Sequence, residues 1–412
     1  MTAVAGLCEP ATLTNGIPYA VLRRSGADVT TVSVWILAGS RDETVPGVAH
    51  LLEHVVMQAV PAGRRMRVVD EIESWGGDAN AMTARDHVVL YARVPTEDAG
   101  AALTVLSAAA TTTVFDDGVV DAERRVVQEE LRLAAADPTD IVHDVFFAAA
   151  YGDHPMGRPV GGTVDQAARL GPADLAAWSR RHARTGLLGV VVSGGMAPDD
   201  VARVLAGGPL AALGGPGTQR PPNSPPAIRA ARRDLPLAGD TAAVVLGGTG
   251  FALADPRLAA AEVVVELLAN GNSSVLNEEI RSRRGLSYDV SGGASGYRDT
   301  GSWRIAISTA PEHRDEVVDL AADLVRAAVD RGWSEAEVAV ARRRVAGLLR
   351  LGAEASLEEV LLYGDHAYVG AEPDWSRAAY LELLATVDAD EVNLAARLMA
   401  DQLVVATAGG DD

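Results

Sequence analysis

Two stretches far apart in the chain repeat one another, and that repetition restricts the possible folds more than any other feature. When Leu131-Arg-Leu133 is set on Leu349-Arg-Leu351, Asp121–Leu133 lies over Ala339–Leu351; after a short gap, Tyr151-Gly-Asp-His154 meets Tyr363-Gly-Asp-His366. A chain made of two copies of one unit gives each copy a similar set of elements in a similar order. Between the copies, Gly207 to Pro226 passes through Gly-Gly-Pro, Gly-Gly-Pro-Gly and two Pro-Pro pairs, with few large apolar residues. A semi-extended stretch of about twenty residues reaches roughly 60 Å, enough to lead the chain from one globular half to another. The expected organisation is a first half over 1–206, a linker over 207–226 and a second half over 227–412.

Within the halves, strands and helices mix. Val32–Ala38 and His87–Val94 are β-rich runs, the second ending at Pro95. Helical spacing governs Val48–Met57, Asp121–Ala136, Ala259–Leu268 and Glu335–Leu351. With 412 residues, 48% hydrophobic and 22% charged, the chain can bury more than one core, and its apolar runs are too short to cross a bilayer. The formal charge of −20 repels phosphate backbones and anionic lipid, so neither nucleic acid nor membrane is an expected partner. A single cysteine, Cys8, allows no internal disulfide, and the first ten residues lack the pattern of a secretory signal. The cytoplasm is the expected compartment.

The chemistry concentrates in His50-Leu-Leu-Glu53-His54, just after the Pro46-Gly47 helix-start signal. On a helix, positions i and i+4 share a face, so both imidazoles can address one ion while Glu53 lies beside them. The chain holds only 8 histidines, and the flanking Val48, Leu51, Leu52, Val55 and Val56 make the helix apolar around this polar trio. Burying such a trio without a partner ion is expensive. A catalytic zinc bound by two histidines needs a third protein ligand, usually a carboxylate. Candidates cluster in Glu123-Arg-Arg-Val-Val-Gln-Glu129-Glu130 on a later helix. Glu123 and Glu130, seven positions apart, fall on one face, with Glu129 turned about 100° away from Glu130. Glu130 is the expected ligand and Glu123 an outer partner that orients a histidine or the base. In the repeat register Glu130 falls opposite Leu348, Glu129 opposite Gly347 and Glu123 opposite Ala341, so one copy retains a charged site that the other lacks.

These residues resemble the inverted zinc motif of the insulinase-like metallopeptidases, family M16, which includes pitrilysin and the mitochondrial processing peptidase. The likeness covers almost the whole chain. Leu13-Thr-Asn-Gly16 is similar to the family's opening strand, Gly39-Ser-Arg-Asp-Glu43 precedes the zinc helix as it does there, and Gly76-Gly-Asp-Ala-Asn80-Ala81-Met-Thr83 resembles the strand beside the metal. In the second half, Arg284-Gly-Leu-Ser-Tyr288 resembles the Arg-Gly-Leu-x-Tyr segment of the small bacterial members, the M16B type.

The resemblance implies an α+β fold of two homologous halves, each a mostly antiparallel sheet packed with helices, of the LuxS/MPP-like metallohydrolase type. It implies a zinc-dependent endopeptidase with one Zn2+ per active half, held by His50, His54 and Glu130. Glu53 would be the general base, Tyr288 the oxyanion donor and Arg284 a grip on substrate carbonyls. Asn80, Ala81 and Thr83 would lie on a strand edge that pairs with extended peptide. Two halves or two chains closing over a chamber would admit unfolded peptide, such as a precursor or leader, and at this length the resemblance favours a homodimer or a heterodimer with another M16-type subunit. The alternative is a non-catalytic, peptide-binding subunit of a heteromeric peptidase, which would be expected to have lost the helix triad. A purely structural metal site would need a closed fourth ligand and no base, and Glu53 argues against it.

Overall fold

The computed structural model describes residues 8–214, 224–225 and 227–410; of the expected linker, residues 215–223 and 226 lie outside them. Among the described residues, one sheet holds β1 (Cys8–Thr12), β2 (Pro18–Arg23), β3 (Val29–Ile36), β4 (Asp78–Thr83), β5 (Val88–Pro95) and β6 (Leu188–Gly194), in the order β1-β2-β6-β3-β5-β4. The other holds β7 (Ala231–Leu235), β8 (Ala242–Gly250), β9 (Ser287–Gly296), β10 (Gly301–Thr309) and β11 (Val404–Ala408), in the order β7-β11-β8-β10-β9. Every pairing is antiparallel except β2 with β6 and β7 with β11. Without β1, the two orders match strand for strand, parallel pair included. The repeat read in the sequence is therefore a repeat of topology, and each half is a mostly antiparallel sheet packed with helices.

The described residues form two compact units. One gathers residues 8–131, 159–214 and 352–376; the other gathers 132–158, 224–225, 227–351 and 377–410. Each unit thus takes a helical segment from the far side of the linker. The reason can be read on β3, whose residues from Thr30 to Ile36 are all buried. A strand buried on both faces needs a cover on each.

On one face Val32, Val34 and Ile36 join a core with α1 (Val48–Gln58), α2 (Val68–Glu73) and α3 (Ala99–Ala110), which contribute Leu51, Leu52, Val55, Ile72, Leu103 and Leu106. On the other face the cover is the helix Ser356–Gly364 and the π-turn Asp365–Val369 that follows it. Thr31 Oγ1 lies 2.6 Å from Ser356 Oγ, the Trp35 ring lies 4.7 Å from that of His87 and 6.4 Å from that of Tyr368, and the Tyr368 hydroxyl donates to the Val190 carbonyl at 2.6 Å.

In the second unit the corresponding cover comes from the first half. After α4 (Asp117–Ala136), α5 (Pro138–Tyr151) packs Val142, Val145 and Phe146 with Ala243, Val245, Val404 and Ala406 of the second sheet. The exchanged helices run into the two Tyr-Gly-Asp-His repeats, and Tyr151 and Tyr363 are both buried. The tetrapeptides recur because they end equivalent helices. Leu13-Thr-Asn-Gly16, likened above to an opening strand, is instead the turn between β1 and β2: Gly16 has φ +90° and its N–H donates to the Leu13 carbonyl at 2.9 Å. A positive φ suits glycine and ends the strand there. No helix among the described residues is long and apolar enough to cross a membrane.

The exchanged cover leaves no room at Gly364, where an added Cβ would fall 2.1 Å from Trp35 Cζ2. Gly364→Ala is expected to lower stability by about 1–3 kcal/mol, the usual cost of overpacking. The check is the urea midpoint followed by tryptophan fluorescence, which should fall with the slope unchanged.

Candidate metal centre

Two helices supply the site. On α1, helical periodicity stacks His50 and His54 on one face, their ring centroids 4.9 Å apart and their planes at 85°. From α4, the Glu130 carboxylate reaches both: Oε1 lies 3.5 Å from His50 Nε2 and Oε2 lies 3.3 Å from His54 Nε2. Glu123, also on α4, places Oε2 3.4 Å from His54 Nδ1. The imidazole of His54 thus has one nitrogen toward Glu130 and the other toward Glu123.

The electrostatics favour a cation. Burial alone would depress the pKa of His50, but contact with Glu130 and the charges of Glu53, Glu130 and Glu43 outweigh it and raise the pKa above the ordinary histidine value. The Glu130 carboxyl is held below the usual range, chiefly by its contact with His50.

The donor set fits a metal. His50, His54 and Glu130 bring one donor atom each to within 4.8 Å of one another. The two His–Glu separations of 3.5 and 3.3 Å are long for charge-assisted hydrogen bonds, which close to about 2.7–2.9 Å. Each is close to the roughly 3.3 Å between two ligands held about 2.0–2.1 Å from zinc, with Oε1 facing His50 and Oε2 facing His54. Two nitrogens and a carboxylate oxygen are a zinc-type set, three donors leave a fourth position open, and Glu123 supplies the carboxylate–histidine support such ligands commonly have. His50 Nδ1 is buried with no hydrogen-bond partner among the described residues. A Cβ built on Gly161 would stand only 2.9 Å from that nitrogen, so the backbone of Gly161 closes this side of the ring.

The remaining residues singled out in the sequence fall on α1, on β4 and in the second unit. Glu53 is half-buried on α1 between the two histidines. Asn80, Ala81 and Thr83 lie on β4, an end strand of its sheet; Asn80 and Thr83 are exposed and half-buried, Ala81 is buried, and Thr83 Oγ1 lies 3.5 Å from the Ala49 carbonyl. Arg284 and Tyr288 belong to the second unit. Arg284 follows a π-helical stretch, Asn277–Arg283, with Nε donating to Glu279 at 3.0 Å, and Tyr288 on β9 is 88% exposed.

Two residues near the site gave no signal in the sequence. Tyr91 on β5 is the cross-strand partner of Asn80, and burial, with the Asp78 charge next, raises its pKa. Gly161 is one of 41 glycines, and only the folded chain shows what it touches. Pairing Tyr91 with Asn80 requires the β4–β5 register, which alternation within one strand does not specify.

Comparison with known proteins places the chain in a family. The family described as Insulinase (Peptidase family M16) matches residues 19–164, and that described as Peptidase M16 inactive domain matches residues 169–345. The chain belongs to the M16 peptidase family. A protein of Streptomyces coelicolor named an uncharacterized zinc protease is 31% identical over 361 residues, 85% of this chain and 78% of the relative. The mitochondrial-processing peptidase subunit beta of Blastocladiella emersonii is 28% identical over 371 residues, 85% of this chain and 79% of that protein. The crystal structure of a protease from Helicobacter pylori has the same fold, with a TM-score of 0.88 at 18% identity, covering 98% of this chain and 99% of the other.

Support around the histidines makes two tests available. Glu123→Ala is expected to raise the zinc dissociation constant about 10- to 100-fold while the protein stays folded. Gly161→Ala, by pushing the ring of His50 aside, is expected to weaken zinc at least about 10-fold. Both are read by competition with a chromogenic chelator.

Proposed function

We propose that the chain is a zinc metalloendopeptidase that hydrolyses extended or unfolded peptides, with His50, His54 and Glu130 as metal ligands and Glu53 as general base. The observation that carries this reading is the convergence of His50, His54 and Glu130, one donor atom from each lying within 4.8 Å of the others, beside a glutamate that is not among them. Names of relatives as zinc proteases support zinc as the ion.

When bound, zinc lowers the pKa of a coordinated water to about 7 and polarises the scissile carbonyl. Glu53 takes a proton from the attacking water and returns it to the leaving amine, which it can do because the ligand positions are filled by other side chains. Glu123 holds the imidazole of His54 through Nδ1, leaving Nε2 on the side of Glu130, where it would serve as a ligand. The peptide adds as a strand to the free edge of β4 at Asn80–Thr83, through main-chain hydrogen bonds that do not depend on sequence.

Tyr288 donates to the developing oxyanion and Arg284 grips substrate carbonyls; the exposure of Tyr288 and the Glu279 contact that orients the Arg284 guanidinium support these roles. The reading includes a chamber closed by two halves or two chains, a homodimer or a pair with a related subunit, and a cytoplasmic compartment in keeping with the lone Cys8. The organisation 1–206, 207–226 and 227–412 remains its domain plan, the metal residing in the first part.

Glu53→Gln is the decisive variant. It is expected to retain stoichiometric zinc while peptide cleavage falls about 10²- to 10⁴-fold, measured by mass spectrometry on an unbiased peptide library. Chelation of the wild type should abolish cleavage and zinc should restore it. Equal cleavage by Glu53→Gln and wild type would sink the assignment.

A further inference from the structure

The short turn Ser40–Asp42 before α1 ends on Glu43, whose side chain reaches forward into the helix. Glu43 Oε2 accepts the Gly47 N–H at 2.9 Å and Oε1 accepts the Ala49 N–H at 2.7 Å. Gly47 occupies the N-cap position at φ +85° and has no side chain with which to cap the helix. Helix starts leave several N–H groups without partners, and here one distant carboxylate takes up the Ala49 donor together with the N–H of the cap residue.

The carboxylate is itself anchored. Ser40 and Arg41 donate their N–H groups to the carbonyls of Ala84 and Arg85 at 3.0 and 3.1 Å, and the Arg41 guanidinium pairs with Asp86 at 3.2 Å, with both side chains almost wholly buried. Glu43 is 7% exposed. A chain segment tied to the β4–β5 turn therefore holds the first turn of α1 at the residue immediately before His50.

Two physical consequences bear on His50. A grip through both carboxylate oxygens limits rotation of the first turn, and metal ligands must be held within about 0.5 Å of their working positions. A helix N-terminus also carries about half a positive charge, which repels a dication bound one turn in. A buried anion bonded to those N–H groups offsets that repulsion.

We propose that Glu43 is a positioning residue of the metal centre, setting the aim of His50 and neutralising the helix end beneath the ion. This inference rests on the proposed metal site. It concerns zinc affinity rather than folding alone, and the test separates the two. Zinc dissociation constants are measured by chelator competition for wild type, Glu43→Gln and Glu43→Ala, alongside the melting temperature of each metal-free protein.

Glu43→Gln keeps one acceptor oxygen and loses the charge. It is expected to melt within a few degrees of wild type yet bind zinc about 10-fold more weakly, with Glu43→Ala weaker still. Unchanged zinc affinity in folded Glu43→Gln overturns the proposal, as does a loss confined to the metal-free melting temperature. A wild-type protein that binds no zinc removes the metal centre itself, so that failure is distinguishable from failure of the role of Glu43.

Discussion

Three metal-type donor groups on two helices converge to within 4.8 Å of one another, and the local structure is organised to keep them there. His50 and His54 need only helical periodicity to share a face. The third donor needs α4 to run past α1 at the right depth, which the shared core of Leu51, Val55, Val120 and Val127 provides. Around these ligands the contacts restrain rotation rather than add binding groups. Glu123 holds one histidine from behind, and Gly161 leaves the other no space to turn. Ligands carried on packed helices are held more firmly than ligands on loops, which suits an ion whose affinity falls steeply with misplacement.

The two halves share a strand order but differ in chemistry. Position for position, the second copy has Leu348 where the first has Glu130 and Ala341 where it has Glu123. Ala341 is buried and Leu348 is 57% exposed, so the helix Glu335–Gly352 keeps the shape of α4 without its carboxylates. The second unit instead displays Arg284 and an 88% exposed Tyr288, the residues proposed above to hold substrate. Duplication followed by loss of ligands in one copy leaves such a pattern, because packing positions and ligand positions on one helix can change independently.

Much of this was legible in the residues. Helices over Val48–Gln58, Asp117–Ala136, Arg257–Leu268 and Glu335–Gly352 lie within a few positions of where apolar periodicity puts them. The strands Val29–Ile36 and Val88–Pro95 follow their β-branched runs equally closely. The repeated Tyr-Gly-Asp-His was visible too, but not its meaning: Tyr151 and Tyr363 close helices that cover sheets on the other side of the linker. Nothing in Ser356–Gly364 says which sheet it will cover, since its apolar face would suit either.

By itself the sequence determined the repeated unit, the helix bearing His50, Glu53 and His54, and the acidic helix carrying Glu130. Those properties depend on residues a few positions apart, whose relation the helical period sets before any tertiary contact forms. Only the tertiary structure decided that the units exchange helices, that Gly161 backs His50, that Tyr91 stands beside Asn80 and that Glu43 caps α1. Each of these is a contact made by chain path and strand register, where one residue of slip would replace the partner with another.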